Sequence, residues 1–349
     1  MIKEKQIPFV SIIIACRNEE NYISKCLESI INNNFPKESL EILIVDGMSE
    51  DRTREKVEEY STKCSFIKLL DNPKKVTPVA MNIGIRNSKG KVVILVNAHC
   101  VLNNNFLKYN IEYLSNVGAD AVGGMLNTVN DSKSTISQCI PMAADSVFGS
   151  GGNRYRSRKT ESFVNDTLPY CAYPRETFGK FGYIDEELIR NQDEEFNYRI
   201  LRKSGKIFFT PKIKSLLFIR PSLKKLWKQH FQYGYFKPLV SRKVGTLLTW
   251  RQLMPACFVG SLIISVLCSL IIKPFIYLFF LVAALYLTTN LVFSFFIAVK
   301  KGMKYFLALP IAFGTLHFSY GLGYLIGIFD FILLKKHKKK KIEDMPLTR

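Results

Sequence analysis

The stretch that most constrains this chain runs from Leu253 to Leu334, where apolar residues follow one another almost without a break. It divides into blocks of 20 (Leu253–Ile272), 25 (Phe275–Val299) and 30 residues (Tyr305–Leu334). A helix needs about 20 apolar residues to cross the hydrocarbon layer, so the chain reads as membrane-inserted. Lys273-Pro274 is enough to turn a helical hairpin between the first two blocks. The lysines of Lys300-Lys301-Gly302-Met303-Lys304 put the second loop on the cytoplasmic side. The third block is longer than a ~30 Å layer requires, and it carries Pro310, Gly314, His317, Gly321, Gly323, Gly327 and Asp330. The basic run from Lys335 to Lys341 argues for a cytoplasmic C-terminus, yet three crossings from a cytoplasmic N-terminal part would put it outside. Two full spans with a re-entrant or interfacial third segment satisfy both, and three spans are the alternative.

The remaining residues have to form a soluble part. With 48% hydrophobic residues in 349, disordered and collagen-like classes are excluded, and the length suits two units of ordinary size. The eight cysteines form no CxxC pair and no zinc-type spacing, and they read as reduced, mostly buried thiols. Met1–Gln6 is basic, but the following apolar run Val10–Cys16 is short for a signal peptide and leads straight into Arg17-Asn18-Glu19-Glu20, so it is read as a buried strand.

Residues 1–100 alternate β-rich runs (Phe9–Cys16, Leu40–Asp46, Ser65–Leu70, Val92–Asn97) with helical stretches near Asn21–Asn32, Asp51–Tyr60 and Pro78–Asn87. Strands that are apolar throughout point to a mostly parallel α/β sheet covered on both faces, which binds ligands at the carboxyl ends of its strands. Three runs end in polar clusters: Arg17-Asn18-Glu19, Asp46-Gly47-Met48-Ser49 and Asn97-Ala98-His99. Gly84 to Gly90-Lys91 has the wrong length and order for a phosphate-binding P-loop. Gly321, Gly323 and Gly327 read as small residues at a helix contact or bend. From Arg199 to Arg251 there are 14 Lys/Arg and no Asp or Glu, interleaved with Trp227, Phe231, Tyr233, Tyr235, Phe236 and Trp250. Next to a membrane block such a strip is read as lying on anionic lipid, and nucleic acid is not expected as a partner.

The stretches Phe9–Glu20 (FVSIIIACRNEE), Val45–Thr53 (VDGMSEDRT) and Asn72–Ile85 (NPKKVTPVAMNIGI) are joined by Tyr170–Arg199, with Arg175, Phe181–Glu186 (FGYIDE) and Gln192–Arg199 (QDEEFNYR). Together they resemble the successive signatures of family 2 glycosyltransferases of GT-A fold, and in detail the membrane-attached exopolysaccharide enzymes of the succinoglycan type. The resemblance implies that Ala15, Arg17, Glu19 and Asp46 contact the base and ribose of a nucleotide sugar, with Asp46 accepting from the uracil N–H; the alternative for Asp46 is a turn cap. Asp51 and Thr53 read as N-terminal helix residues. Asn82, with Gly84, matches the donor-side helix, or is structural. Asp193 matches the general base, and Arg175 and Arg199 would organise the acidic site around it. Asp193, Glu194 and Glu195 are consecutive and cannot all point one way. Where many relatives carry Asp-x-Asp, this chain has Asn97-Ala98-His99. The resemblance therefore implies a ribose contact for Asn97 and a divalent cation, Mn²⁺ or Mg²⁺, on His99, whose imidazole suits Mn²⁺ better. Gln229–Tyr233 lacks the Arg and Trp of the processive synthases' element.

The expectation is thus a catalytic GT-A domain over residues 1–222, a basic amphipathic interfacial segment over 223–252, a membrane region over 253–334 and a basic cytoplasmic tail over 335–349. The reaction implied is inverting transfer of a hexose, from a UDP-linked donor, to a polyprenyl-diphosphate-linked saccharide, with the catalytic domain in the cytoplasm. A sugar-nucleotide pyrophosphorylase would need a Gly-rich N-terminal phosphate loop where this chain has Ala15-Cys16-Arg17-Asn18-Glu19. A membrane scaffold or transport subunit would not need acids at strand ends.

Overall fold

The computed structural model describes residues 7–150, 158–219, 222–245 and 249–335. Residues 1–6 and the tail from Lys336, on which expectations were placed, lie outside the described residues. The chain divides into two compact units, one of residues 1–127 and 155–218, the other of 128–154 and 219–348.

The first unit is built on strands β1 (Val10–Cys16), β2 (Leu40–Asp46), β3 (Ile67–Asp71) and β4 (Val92–Asn97), all parallel in the order β3-β2-β1-β4. Every residue of β1 and β2 is buried. The two-residue period deals their side chains to opposite faces. Val10, Ile12, Ile14 and Cys16 enter one apolar cluster, whereas Ile13 and Ala15 enter the other. Helices α1 (Ile23–Ile31), α2 (Thr53–Lys63) and α3 (Thr77–Asn87) make the crossovers. At Gly84 in α3 a Cβ would stand 2.3 Å from Ile13 Cγ2, so only glycine lets α3 lie this close on β1.

Beyond β4 the sheet changes character. β8 (Ala172–Pro174) runs antiparallel to β4 and to β6 (Ala121–Val129), and β9 (Ile207–Phe218) pairs antiparallel with both β5 (Cys100–Leu102) and β7 (Ser162–Val164). The sheet is therefore mixed, parallel where the sequence predicts it and antiparallel in its second half. Helices α4 (Phe106–Val117), α7 (Glu176–Phe181) and α8 (Gln192–Arg202) complete this unit.

In the second unit, α5 (Thr135–Asp145) and α6 (Val147–Ser150) accompany α9 (Leu223–Val244), α10 (Met254–Ser269), α11 (Phe275–Lys301) and α12 (Leu309–Gly327). A domain drawn unbroken over 1–222 is thus corrected: Cys139, Ile140 and Ala143 of α5 bury against Leu309, Phe313 and Leu316 of α12, because the amphipathic α5 finds its apolar partner there. Three helical stretches, Trp250–Ser269, Phe275–Lys301 and Leu309–Leu333, are long and apolar enough to cross a membrane. The third is helical from end to end, α-helix followed by a π-helical turn over Ile328–Leu333, so a re-entrant bend is not formed. Pro310 stands in the first turn of α12, where it needs no helical N–H partner. The glycines serve helix contact instead: a Cβ at Gly323 would lie 2.1 Å from the Phe231 carbonyl oxygen of α9, and one at Gly234 of α9 would lie 2.1 Å from that of Tyr320. The segment read as basic, amphipathic and interfacial thus has one face embedded in protein. Leu226, Phe236, Lys237 and Leu239 of α9 are buried, and Lys224, Lys225, Trp227 and Lys228 are exposed. None of the eight cysteines is in a disulfide, and five of them are buried.

Candidate active site

Strand register gathers the polar residues. Cys16 pairs with Asp46, Asp46 with Asp71, and Ala15 with Asn97, so β1, β2, β3 and β4 deliver their polar ends to the same edge of the sheet. There the β1–α1 and β2–α2 loops brace each other. Asn18, in the left-handed region at φ 53°, donates its N–H to Ser49 Oγ (2.9 Å) and accepts from Glu50 N (2.9 Å). Thr53 Oγ1 accepts from Glu19 N (2.7 Å), and Asp51 accepts from the Glu20 and Thr53 amides (3.2 and 3.0 Å), which places both residues at the start of α2 as expected. Arg17 reaches toward Glu50 at 3.5 Å, while its Nε is buried with no hydrogen-bond partner.

Asp46 is wholly buried. Its Oδ2 accepts from Ser49 N and Arg54 Nη1 (both 2.9 Å), and its Oδ1 accepts from Ser49 Oγ (2.5 Å) and the Cys16 thiol (3.6 Å). Arg54 also pairs with Asp71 at 2.8 Å, and these two carboxylates hold its guanidinium above its ordinary pKa. Both oxygens of Asp46 are thus occupied within the turn, which is the capping alternative, rather than open toward a base.

Asn97 Nδ2 donates to the Tyr170 hydroxyl (3.1 Å). Tyr170 itself stands at φ 49°, a conformation costly for a bulky residue and found where a site demands it. Nothing in the local sequence announces that geometry, and Tyr170 was not foreseen as a site residue. His99 follows β4, and its carbonyl accepts from Phe218 N (2.9 Å). Its Nδ1 meets Glu19 Oε1 at 3.1 Å, with the Glu19 side chain only 1% exposed. Glu19 is thereby paired with His99. Ala15 sits in the core of β1.

Asp193 lies in the first turn of α8 and is exposed, whereas Glu195 is buried. The Asp193 charge reaches the buried Tyr173 and Cys171: burial, mainly, and this charge push the Tyr173 hydroxyl well above its usual pKa and the Cys171 thiol up to about 12. Tyr173 donates to Asn197 Oδ1 (2.9 Å), fixing α8 against β8. Arg199 forks onto Glu195 (2.8 and 2.6 Å) and holds the carbonyls of Phe181 and Tyr183 (2.9 and 2.8 Å). Arg175 goes elsewhere. Its backbone N–H bonds Lys91 O and its guanidinium the carbonyls of Gly90 and Ser88, at the beginning of β4. Six residues of strand at ~3.3 Å each separate that end from Asn97, about 20 Å. Through these carbonyls Arg175 fastens the α3–β4 turn. Asn82 is likewise buried in a bridge to Ile184 and Glu186 (2.8–3.1 Å), the structural alternative.

A parallel half-sheet with polar strand ends, an antiparallel second half and a carboxylate at the head of the helix beside it define a GT-A glycosyltransferase. The chain belongs to glycosyltransferase family 2, whose family profile (Glycosyl transferase family 2) matches residues 11–182. It is 33% identical over 328 residues, 92% of this chain and 97% of the relative, to the dolichyl N-acetyl-α-D-glucosaminyl phosphate 3-β-D-2,3-diacetamido-2,3-dideoxy-β-D-glucuronosyltransferase of Methanococcus voltae. It is 27% identical, over 70% of this chain and 73% of the relative, to the succinoglycan biosynthesis protein ExoA of Rhizobium meliloti. The fold is shared with a mannosyltransferase of Pyrobaculum calidifontis solved with GDP-Man and Mn²⁺, at a TM-score of 0.58, 14% identity and coverage of 93% of this chain and 88% of that one.

Proposed function

We propose that the chain is an inverting glycosyltransferase that moves a hexosyl unit from a nucleotide sugar, UDP-linked, to a polyprenyl-diphosphate-linked saccharide at the cytoplasmic face of a membrane. The observation that carries this is the convergence of Arg17, Asn97 and His99 at the strand ends, with Asp193 heading the neighbouring helix. In this reading the unpartnered Nε of Arg17 and the Tyr170-oriented amide of Asn97 meet the donor. Ala15, Glu19, Asp46 and Asn82 shape the walls. The carboxylate of Asp193 takes the proton of the acceptor hydroxyl as that oxygen bonds to the anomeric carbon. The bond to the nucleoside diphosphate breaks on the opposite face, so the configuration inverts. The β-linked product in the Methanococcus relative's name supports inversion, since nucleotide sugars of hexoses are commonly α-linked.

Among the described residues no three His, Cys, Asp or Glu side chains form a metal cage. The chain's own donor set is His99 backed by Glu19. His99, backed by Glu19, would hold a Mn²⁺ or Mg²⁺ ion, which would supply positive charge against the diphosphate leaving group. Exposed Lys224, Lys225, Lys228 and Trp227 on α9 would rest on anionic lipid, at about 1 kcal/mol per basic residue near the surface.

The test is transfer by the detergent-solubilised full chain from a panel of UDP- and GDP-sugars to polyprenyl-phosphate- and diphosphate-linked saccharides, with the product's anomeric configuration read by NMR. Inverted product on a lipid-linked acceptor is expected. Retained configuration, or equal transfer to free soluble sugars, overturns the reading. A tag ahead of Met1 should resist protease added to intact cells; cleavage would refute a cytoplasmic catalytic unit.

A further inference from the structure

The departure from Asp-x-Asp removes both carboxylates from the place where a diphosphate-bridging cation is expected, yet a buried carboxylate returns to it from another loop. Glu19 is held from three directions. Its N–H bonds Thr53 Oγ1 (2.7 Å), its carbonyl accepts from Tyr22 N and Ile23 N (both 2.9 Å), and its Oε1 meets His99 Nδ1 at 3.1 Å. His99 is equally fixed, through Phe218 N on its carbonyl (2.9 Å) and the pairing of Cys100 with Leu217. Both partners therefore arrive on rigid backbone, 80 positions apart in sequence. With an ionised carboxylate opposite a neutral imidazole, the hydrogen belongs on Nδ1 and the lone pair on Nε2. Histidines that ligate metals characteristically use their second nitrogen in this way, which fixes the ring and raises its basicity.

We infer that Glu19 is a positioning residue, one that sets the tautomer and orientation of His99 and supplies, through the imidazole, the negative charge that Asp-x-Asp supplies directly. This rests on the reading of His99 as a cation ligand. A carboxylate that serves only to cap α1 would leave cation affinity untouched when its charge is removed.

The experiment measures Mn²⁺ binding to the purified full chain in the presence of UDP, from the free-Mn²⁺ electron paramagnetic resonance signal, for wild type, Glu19→Gln, Glu19→Asp, His99→Ala and the Glu19→Gln/His99→Ala double variant. Thermal melts confirm folding. Losing the carboxylate partner should weaken Mn²⁺ binding about 10–100-fold. Glu19→Asp keeps the charge but is one methylene too short to reach Nδ1, and should lose nearly as much. The double variant should bind no more weakly than His99→Ala alone. Unchanged affinity in Glu19→Gln beside a weakened His99→Ala overturns the positioning role and leaves the proposed function standing. Additive losses show that Glu19 acts independently of His99 and overturn it too. Unchanged affinity in His99→Ala removes the cation reading and the inference together.

Discussion

Replacing Asp193 by Asn should lower turnover about 10²–10⁴-fold, the usual worth of a positioned general base and equivalent to about 2.7–5.4 kcal/mol of barrier. The geometry separates this loss from any loss of stability. Asp193 is exposed in the first turn of α8, where the interaction of its charge with the helix N-terminus is worth about 0.3–1 kcal/mol to the folded state. For a unit of this size that is a fall in Tm of at most about 2–4 °C. Glu195, two positions on, is the internal control. It is buried and forked onto Arg199, whose third nitrogen holds the carbonyls of Phe181 and Tyr183. Glu195→Gln should therefore cost about 1.5–3 kcal/mol, the worth of a hydrogen bond to a charged group, and lower Tm and yield before it lowers the specific activity of the folded fraction. Glu194→Gln should do neither. The assay is transfer of radiolabelled sugar under saturating donor, with calorimetric donor binding and a melt on each variant. Near-normal turnover in Asp193→Asn would refute the assignment. A Glu195→Gln enzyme that melts like wild type but has lost turnover would move the base to Glu195.

Asp46→Ala should destabilise the fold, since it takes the acceptor from the Ser49 amide and hydroxyl and the Cys16 thiol and leaves Arg54 with Asp71 alone, at about 1–3 kcal/mol for an unsatisfied buried group, whereas Asp46→Asn should keep the fold and bind UDP within a few-fold of wild type. Loss of UDP affinity in a fully stable Asp46→Asn would restore the base contact. EDTA should abolish transfer, and Mn²⁺ should restore it better than Mg²⁺; activity indifferent to EDTA would refute the role of His99. Gly323→Ala must push α9 and α12 about 1 Å apart to bring a 2.1 Å contact above 3.0 Å, at a cost of about 1–3 kcal/mol, while Gly314→Ala on the same helix meets nothing within 4 Å and should be neutral. Equal melting temperatures in detergent would refute the close crossing.

The sequence by itself determined β1, β2 and β4 to within a residue, because strands buried on both faces are written as unbroken apolar runs that no other local structure accommodates. The helices between them and the polar strand ends followed from the same alternation, and the three hydrophobic blocks declared their length without help from any neighbour. Tertiary structure decided the rest. Strands β5, β7 and β8 have three residues each, too few for a periodic signal, and exist because β4 and β9 offer them ladder partners. The α5 segment joins the helical unit because its apolar face is buried there and not in the sheet. The roles of charged residues were the least legible. Whether a carboxylate faces a ligand or is filled from within depends on which groups the fold carries to it: Arg54 and Ser49 to Asp46, His99 to Glu19, and the Gly90 and Ser88 carbonyls to Arg175. Residue type and spacing specify the chemistry such a group is capable of, but its partners come from loops up to 87 positions away, and only the packed chain chooses among them.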